Sequence, residues 1–212
     1  MTTPSDRILA ENAQVLGRML AHPFVQAIGD GSLPAGAYQR YLVYEGAFVE
    51  TAISIFAYAT AKAPDLEAKR WLIGVQQVLA REQMRYFEQS FADLRGDPEI
   101  GIPEAVVSFD QGVLEIARQG DFVEIVTAMF AAEWMYWTWC SRAASREIAD
   151  PHIRQWVDMH ADETFAAQAR WLKNVIDTHA EPEDLTRLSA IFGRVTELEI
   201  AFHDAPLAAQ TE

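Results

Sequence analysis

Three things are scarce in this chain of 212 residues: cysteine, positive charge and uninterrupted apolar sequence. The one cysteine, Cys140, excludes an intrachain disulfide framework. Lys and Arg number 17 against 31 Asp and Glu, for a formal net charge of −14. A surface of that sign repels phosphate backbones, so direct nucleic-acid binding is not expected. No stretch reaches the roughly 18 unbroken apolar residues of a transmembrane helix, so no membrane partner is expected. The opening MTTPSDRILAENAQ lacks a charged segment followed by an apolar run. No signal peptide is therefore expected, and the cytoplasm is the expected location. Glu-x-x-His occurs nowhere, which disfavours the di-iron site of ferritin-like bundles. Internal repeats, low-complexity segments and long alternating strand-like runs are also missing.

What is present is helical periodicity. Apolar residues recur at three- and four-residue spacing nearly throughout, and 50% of the chain is hydrophobic. The pattern predicts an all-α fold of seven or eight helices, in one domain over residues 1–212. Helices are expected near 6–28, 36–62, 66–93, 103–118, 121–148, 151–178 and 183–203. Loops fall at GDGSLP (29–34), KAPD (62–65), RGDPEIGIP (95–103), RQGD (118–121) and ADPH (149–152). Asp150 before Pro151 reads as an N-cap followed by proline at the first helical position, and Glu181 before Pro182 repeats it. Pro23 should kink or restart the first helix. Residues 1–5 and 205–212 are expected to fray.

The apolar stripes carry carboxylates. AAEWMYWTWC (131–140) lies on a stripe that reads Val126, Met129, Phe130, Glu133, Trp137, Cys140. A second runs Tyr41, Glu45, Phe48, Ala52, Ile55. A third runs Phe192, Val195, Glu199, Phe202, and a fourth Leu72, Val75, Leu79, Glu82, Tyr86. A buried carboxylate without a partner costs several kcal/mol or takes up a proton. Each glutamate alone could pair with Arg or His, or lie at a stripe's edge. Several on separate helices point to an acid-lined pocket. The rings and carboxylates together suit a flat, nitrogen-rich heterocycle: rings stack on its faces, and carboxylates take its ring nitrogen and amino hydrogens. Haem fits less well. His22 before a proline reads as capping or packing, and His152, His160, His179 and His203 show no metal-ligand spacing. No metal and no cofactor are expected. Cys140 reads as core packing rather than as a nucleophile. The tryptophans at 134, 137 and 139 divide between core, subunit interface and ligand contact.

HPFVQAIGDGSLPAGAYQRYL (22–42), AAEWMYWTWC, WVDMHADETFAAQARWLKNVID (156–177) and FGRVTELEIAFHD (192–204) resemble, in order, segments of the TenA or thiaminase II family. The resemblance implies a heme oxygenase-like all-α fold and a homo-oligomer, tetramer or dimer. It also implies hydrolysis of thiamin-related aminopyrimidines. One branch carries a catalytic cysteine where this chain has Ala132, so thiaminase activity itself is not expected. The other branch lacks that cysteine and has a glutamate one residue later, as Glu133 does here. The resemblance makes Glu199 the acid/base glutamate and places Glu45 where the family has an aspartate that grips the pyrimidine. Glu82 resembles a glutamate of the cysteine-less branch. Phe48, Phe109 and His160 fall at tyrosine positions that line the pocket, and Tyr44-Glu45 replaces Gln-Asp. Glu133 and Glu199 are expected to share the proton work, while Glu45, Phe48, Phe109 and Tyr136 hold the ring. A non-catalytic heterocycle-binding or indirect regulatory protein, or another enzyme on the same fold, remains open at this point.

Overall fold

Prolines and short acidic residues set the helix starts in the computed structural model, which describes residues 2–93 and 100–208. Thr3, His22, Asp65, Asp121, Asp150 and Asp162 each accept a backbone N–H with a side-chain atom at a helix N-terminus. Pro4, Pro23 and Pro151 occupy first helical positions, where a missing N–H costs nothing. The described residues form α1 (Pro4–Glu11), α2 (Ala13–Leu20), α3 (Pro23–Asp30), α4 (Ala35–Lys62), α5 (Leu66–Val78), α6 (Met84–Asp93), α7 (Glu104–Gln119), α8 (Phe122–Ala143), α9 (Pro151–Ala161), α10 (Glu163–His179) and α11 (Leu185–Ala208). No strand occurs among them.

Several boundaries differ from the periodicity reading. The segment 6–28 is three helices. Asn12 breaks it first, its Nδ2 bonding Ile8 O and both oxygens of Ser189. Pro23 then restarts it, with His22 Nδ1 accepting from Phe24 N. The segment 151–178 divides at Asp162, which caps α10. The helix from 122 stops at Ala143 rather than 148. The segment 66–93 contains a π-helical stretch, Leu79–Gln83, between α5 and α6. At the far end, α11 continues past Asp204 to Ala208 instead of fraying. Arg40 Nε and Nη2 donate to the Pro206 carbonyl at 3.0 and 2.7 Å, which fixes that turn. At the near end Ser5 is buried in α1, and its N–H donates to Asp177 Oδ1 at 2.8 Å. Positions 1, 94–99 and 209–212, with much of the expected 95–103 loop and of the tail, lie outside the described residues.

The core is one continuous apolar cluster with α8 through its centre, packed against α9, α10 and α11, while α4 packs on α5 and α7. α4 is long and apolar enough to cross a membrane by length and composition alone, but 50% of its apolar window is buried inside the protein. AAEWMYWTWC lies within α8. Ala131, Met135, Tyr136, Trp139 and Cys140 are buried, while Trp134 and Trp137 are half-buried and pack on each other.

Candidate active site

Glutamates reach the core here because the helix period brings them there. Glu45 sits one turn before Phe48 and Val49 on α4. Glu133 sits one turn after Met129 and one before Tyr136 on α8. Both line one cavity with Phe48, Val49, Ala52 and Phe56 of α4, Val78, Leu79 and Gln83, Met129, Ala132 and Tyr136, His160 of α9, and Phe165 and Gln168 of α10. The open space is about 80 Å3. That is below the several hundred Å3 usual for ligand pockets, so a bound ring requires side chains to move.

The carboxyl groups differ in their surroundings. Glu45 is 4% exposed, and its Oε2 accepts from Tyr136 Oη at 3.1 Å. Burial pushes it up to about 7, with Asp110 adding to the rise and the Tyr136 hydrogen bond opposing it. Glu133 is 6% exposed, and its Oε1 accepts from Gln168 Nε2 at 2.5 Å. Burial pushes it up to about 8, against the opposing pull of Gln168, and Oε2 is buried with no hydrogen-bond partner. Glu199 is 1% exposed, and neither carboxyl oxygen has a hydrogen-bond partner. Burial and then the charge of Glu45 drive it well above the carboxylate range. Glu199 does not line the cavity; it couples electrostatically to Glu45 and Tyr136.

Two of the three buried histidines, His160 and His203, are neutral near pH 7. Burial pulls His160 down to about 4 and His203 to about 3. His160 Nδ1 donates to Trp156 O at 2.9 Å and the ring stacks on Trp156 at 3.9 Å, which leaves Nε2 as an acceptor.

Glu45, Glu133, Phe48, Tyr136 and His160 are therefore brought together. Besides Glu199, four residues singled out in the sequence are placed elsewhere. Phe109 is buried behind Phe48, ring centroids 4.4 Å apart, and meets the site only through it. Tyr44 lines a different, open cavity with Ile102, Pro103 and Ala205, because one residue along a helix is a rotation of about 100°. Glu82 is exposed. The π-helical stretch holds more than four residues per turn, so the position that returns to the Leu79 face is the fourth along, Gln83, and not the third. Cys140 is fully buried away from the cavity, its thiol pushed well up by burial and by Glu45. The sequence reading missed Gln83 and Gln168. A half-polar residue three after Phe165 is a weak signal, and no periodicity rule marks a π-helical turn in advance. Among the described residues, no three His, Cys, Asp or Glu are grouped to hold a metal ion.

The helices form an all-α bundle of heme oxygenase-like fold with an acid-lined aromatic cavity in its core. Residues 10–209 match the TENA/THI-4/PQQC family, and the chain belongs to it. The aminopyrimidine aminohydrolase of Halalkalibacterium halodurans is 25% identical over 195 residues, spanning 86% of each chain. Its namesake from Helicobacter pylori is 24% identical over 206 residues, spanning 92% of this chain and 95% of its own. The solved TenA homologue from P. horikoshii OT3 superposes with a TM-score of 0.89 at 18% identity, covering 97% of this chain and 99% of that one.

Proposed function

We propose that this protein hydrolyses a C–N bond of a thiamin-related aminopyrimidine, releasing an amine and leaving a hydroxyl on carbon. The carrying observation is the single cavity that holds Glu45, Glu133, Tyr136 and His160. Relatives named aminopyrimidine aminohydrolase support the choice of substrate.

The carboxyl groups divide the work by their protonation. Glu133, pushed up to about 8, is protonated at neutral pH and serves as the acid. Glu45, near 7, supplies a carboxylate fraction that grips the amino group and accepts a proton from water. The water oxygen bonds to the substrate carbon as the C–N bond breaks, the water proton goes to Glu45, and the leaving nitrogen takes the proton of Glu133. His160 Nε2 accepts from a ring amino group, and Phe48 and Tyr136 flank the ring. Glu199, which the resemblance makes an acid/base residue, stands outside the cavity; it raises Tyr136 by its charge and is itself raised by that of Glu45. Thiaminase chemistry is not part of the proposal: Ala132 stands at the cysteine position, and Cys140 is sealed in the core. The whole chain acts as one domain, in the cytoplasm and as a homo-oligomer, dimer or tetramer. Exposed Leu66 and Ile73 on α5 supply apolar surface for such an assembly.

The test is a chromatographic turnover assay with thiamin, aminomethyl-pyrimidine and its formyl derivative. Hydroxymethyl-pyrimidine from the pyrimidines and none from thiamin is the expected outcome. Tight binding without product refutes the hydrolase and leaves a binding protein.

A further inference from the structure

The hydrogen bonds around Tyr136 cannot all be made at once. Tyr41 donates its hydroxyl proton to Tyr136 Oη at 3.2 Å, so Tyr136 must send its own proton elsewhere. Two acceptors lie in reach, Glu45 Oε2 at 3.1 Å and His203 Nε2 at 3.4 Å. A hydroxyl has one proton, so only one of them is served at a time. His203 Nδ1 lies 2.8 Å from the Glu199 carbonyl oxygen. Nδ1 therefore carries the ring proton, and Nε2 presents a lone pair to Tyr136. Tyr41 and His203 are 0% exposed and Tyr136 is 5% exposed, so a lost partner is not readily replaced by solvent.

We propose that His203 is a positioning residue that offers Tyr136 an alternative acceptor, so that Glu45 can gain and lose a proton without stranding a buried hydroxyl. This rests on the reading of Glu45 as a group that titrates in turnover. With Glu45 ionised, Tyr136 donates to Glu45 Oε2. When Glu45 takes a proton from the attacking water, its new O–H donates to Tyr136 Oη, and the Tyr136 hydroxyl rotates to His203 Nε2. The Tyr136 oxygen then accepts from Tyr41 and Glu45 and uses both lone pairs. Rings and helices stay in place, and the only motion is rotation of one hydroxyl.

Other groups act on Glu45 but do not replace this device. Tyr41 on the same helix also lowers Glu45, but its hydroxyl donates to Tyr136 at 3.2 Å. Asp110 of α7 raises Glu45 by its charge and is itself bonded by Thr51 Oγ1 at 3.2 Å. Glu199 of α11 is raised by the charge of Glu45, and its Oε2 lies 3.5 Å from His203 Nδ1, farther than the Glu199 carbonyl at 2.8 Å to which Nδ1 donates. Cys140 of α8 feels Glu45 by charge.

The experiment is a carbon-13 NMR titration of protein labelled at the glutamate carboxyl carbons, with Glu45 assigned by its loss in Glu45→Gln. His203→Phe keeps a ring and removes the acceptor, which disfavours protonated Glu45. The midpoint of Glu45 is expected to fall by roughly half to one pH unit. His203→Gln restores an acceptor and is expected to return the midpoint towards that of the parent. A midpoint unchanged in both variants, or lowered equally in both, overturns the proposal. The unmodified protein gives a second reading that needs no variant to fold. The nitrogen-15 resonance of His203 Nε2 is expected to move with the Glu45 midpoint, and a resonance that stays constant through it overturns the switch. Neither titration uses substrate. Absence of turnover with the midpoint shift intact would remove the proposed function and leave the hydroxyl switch without its catalytic use, whereas an unmoved midpoint in an active protein would remove this role alone.

Discussion

Gln168 Nε2 donates to Glu133 Oε1 at 2.5 Å, while Oε2 of the same carboxyl group is buried without a partner. One oxygen is anchored by α10 and the other makes no hydrogen bond within the protein. Gln168 lowers the proton affinity that burial raises. Gln168→Leu is therefore expected to push Glu133 above about 8 and to carry the alkaline limb of the turnover profile upward by roughly half to one pH unit. Loss of the anchor should also lower kcat, by about tenfold. An alkaline limb that stays in place would rule out Glu133 as the acid.

Glu199→Gln separates charge from shape. The amide mimics a protonated carboxyl group, the state that burial favours. Turnover is expected to fall by about a hundredfold if the residue exchanges a proton, with ligand affinity changed only a few-fold. Parent-like turnover would confine Glu199 to a structural role.

Stability should depend on pH in a direction set by these buried groups. Glu45 and Glu133 hold protons in the folded state up to about 7 and about 8, but release them near 4.5 when unfolded. Their contribution is complete below 4.5 and is lost as pH rises through the folded values. His160 and His203 act oppositely. Their folded values near 4 and near 3 lie below 6.5, so their contribution is present above 6.5 and is lost in acid. The two effects partly cancel between 4.5 and 6.5. Above 6.5 only the carboxyl groups titrate, at about 1.4 kcal/mol per pH unit for each group while it remains protonated. Thermal melts should show the steepest loss of stability between pH 6.5 and 8, flattened in Glu133→Gln. A melting temperature independent of pH across that interval would contradict the burial of these groups as acids.

Cys140 offers a simple control. It is 0% exposed and does not line the cavity. Cys140→Ala is expected to retain turnover and to lose about 1–2 kcal/mol of stability from the small void. The native thiol should react with a thiol reagent only at the rate of opening. Loss of turnover in a folded Cys140→Ala protein would return the thiol to the chemistry.

The π-helical register makes neighbours behave differently. Glu82→Gln should leave turnover unchanged, since Glu82 faces solvent. Gln83→Ala should raise KM several-fold, because Gln83 lines the cavity. The reverse result would mean that the helix keeps an α-helical register through Leu79.

Glu45, Glu133 and Glu199 were legible in the sequence as buried because helical period alone puts a residue on an apolar face, and all three are buried. Asp150 and Pro151 fixed the start of α9 for an equally local reason, since capping involves only adjacent residues. The segments 22–42 and 131–140 likewise carried the resemblance, and residues 10–209 match the family although identity to two of its named relatives is 24–25%. Tertiary contacts decided the rest. The break at Asn12 depends on Ser189, 177 positions away, and the last turn of α11 depends on Arg40, 166 positions away. The exclusion of Glu82 in favour of Gln83 follows from a π-helical turn that no local pattern announces. The pairing of Gln168 with Glu133, and of Tyr136 with both Glu45 and His203, joins helices far apart in the chain. Periodicity fixes which side of one helix is apolar. Which side chains of different helices meet across the core is set only when those helices pack.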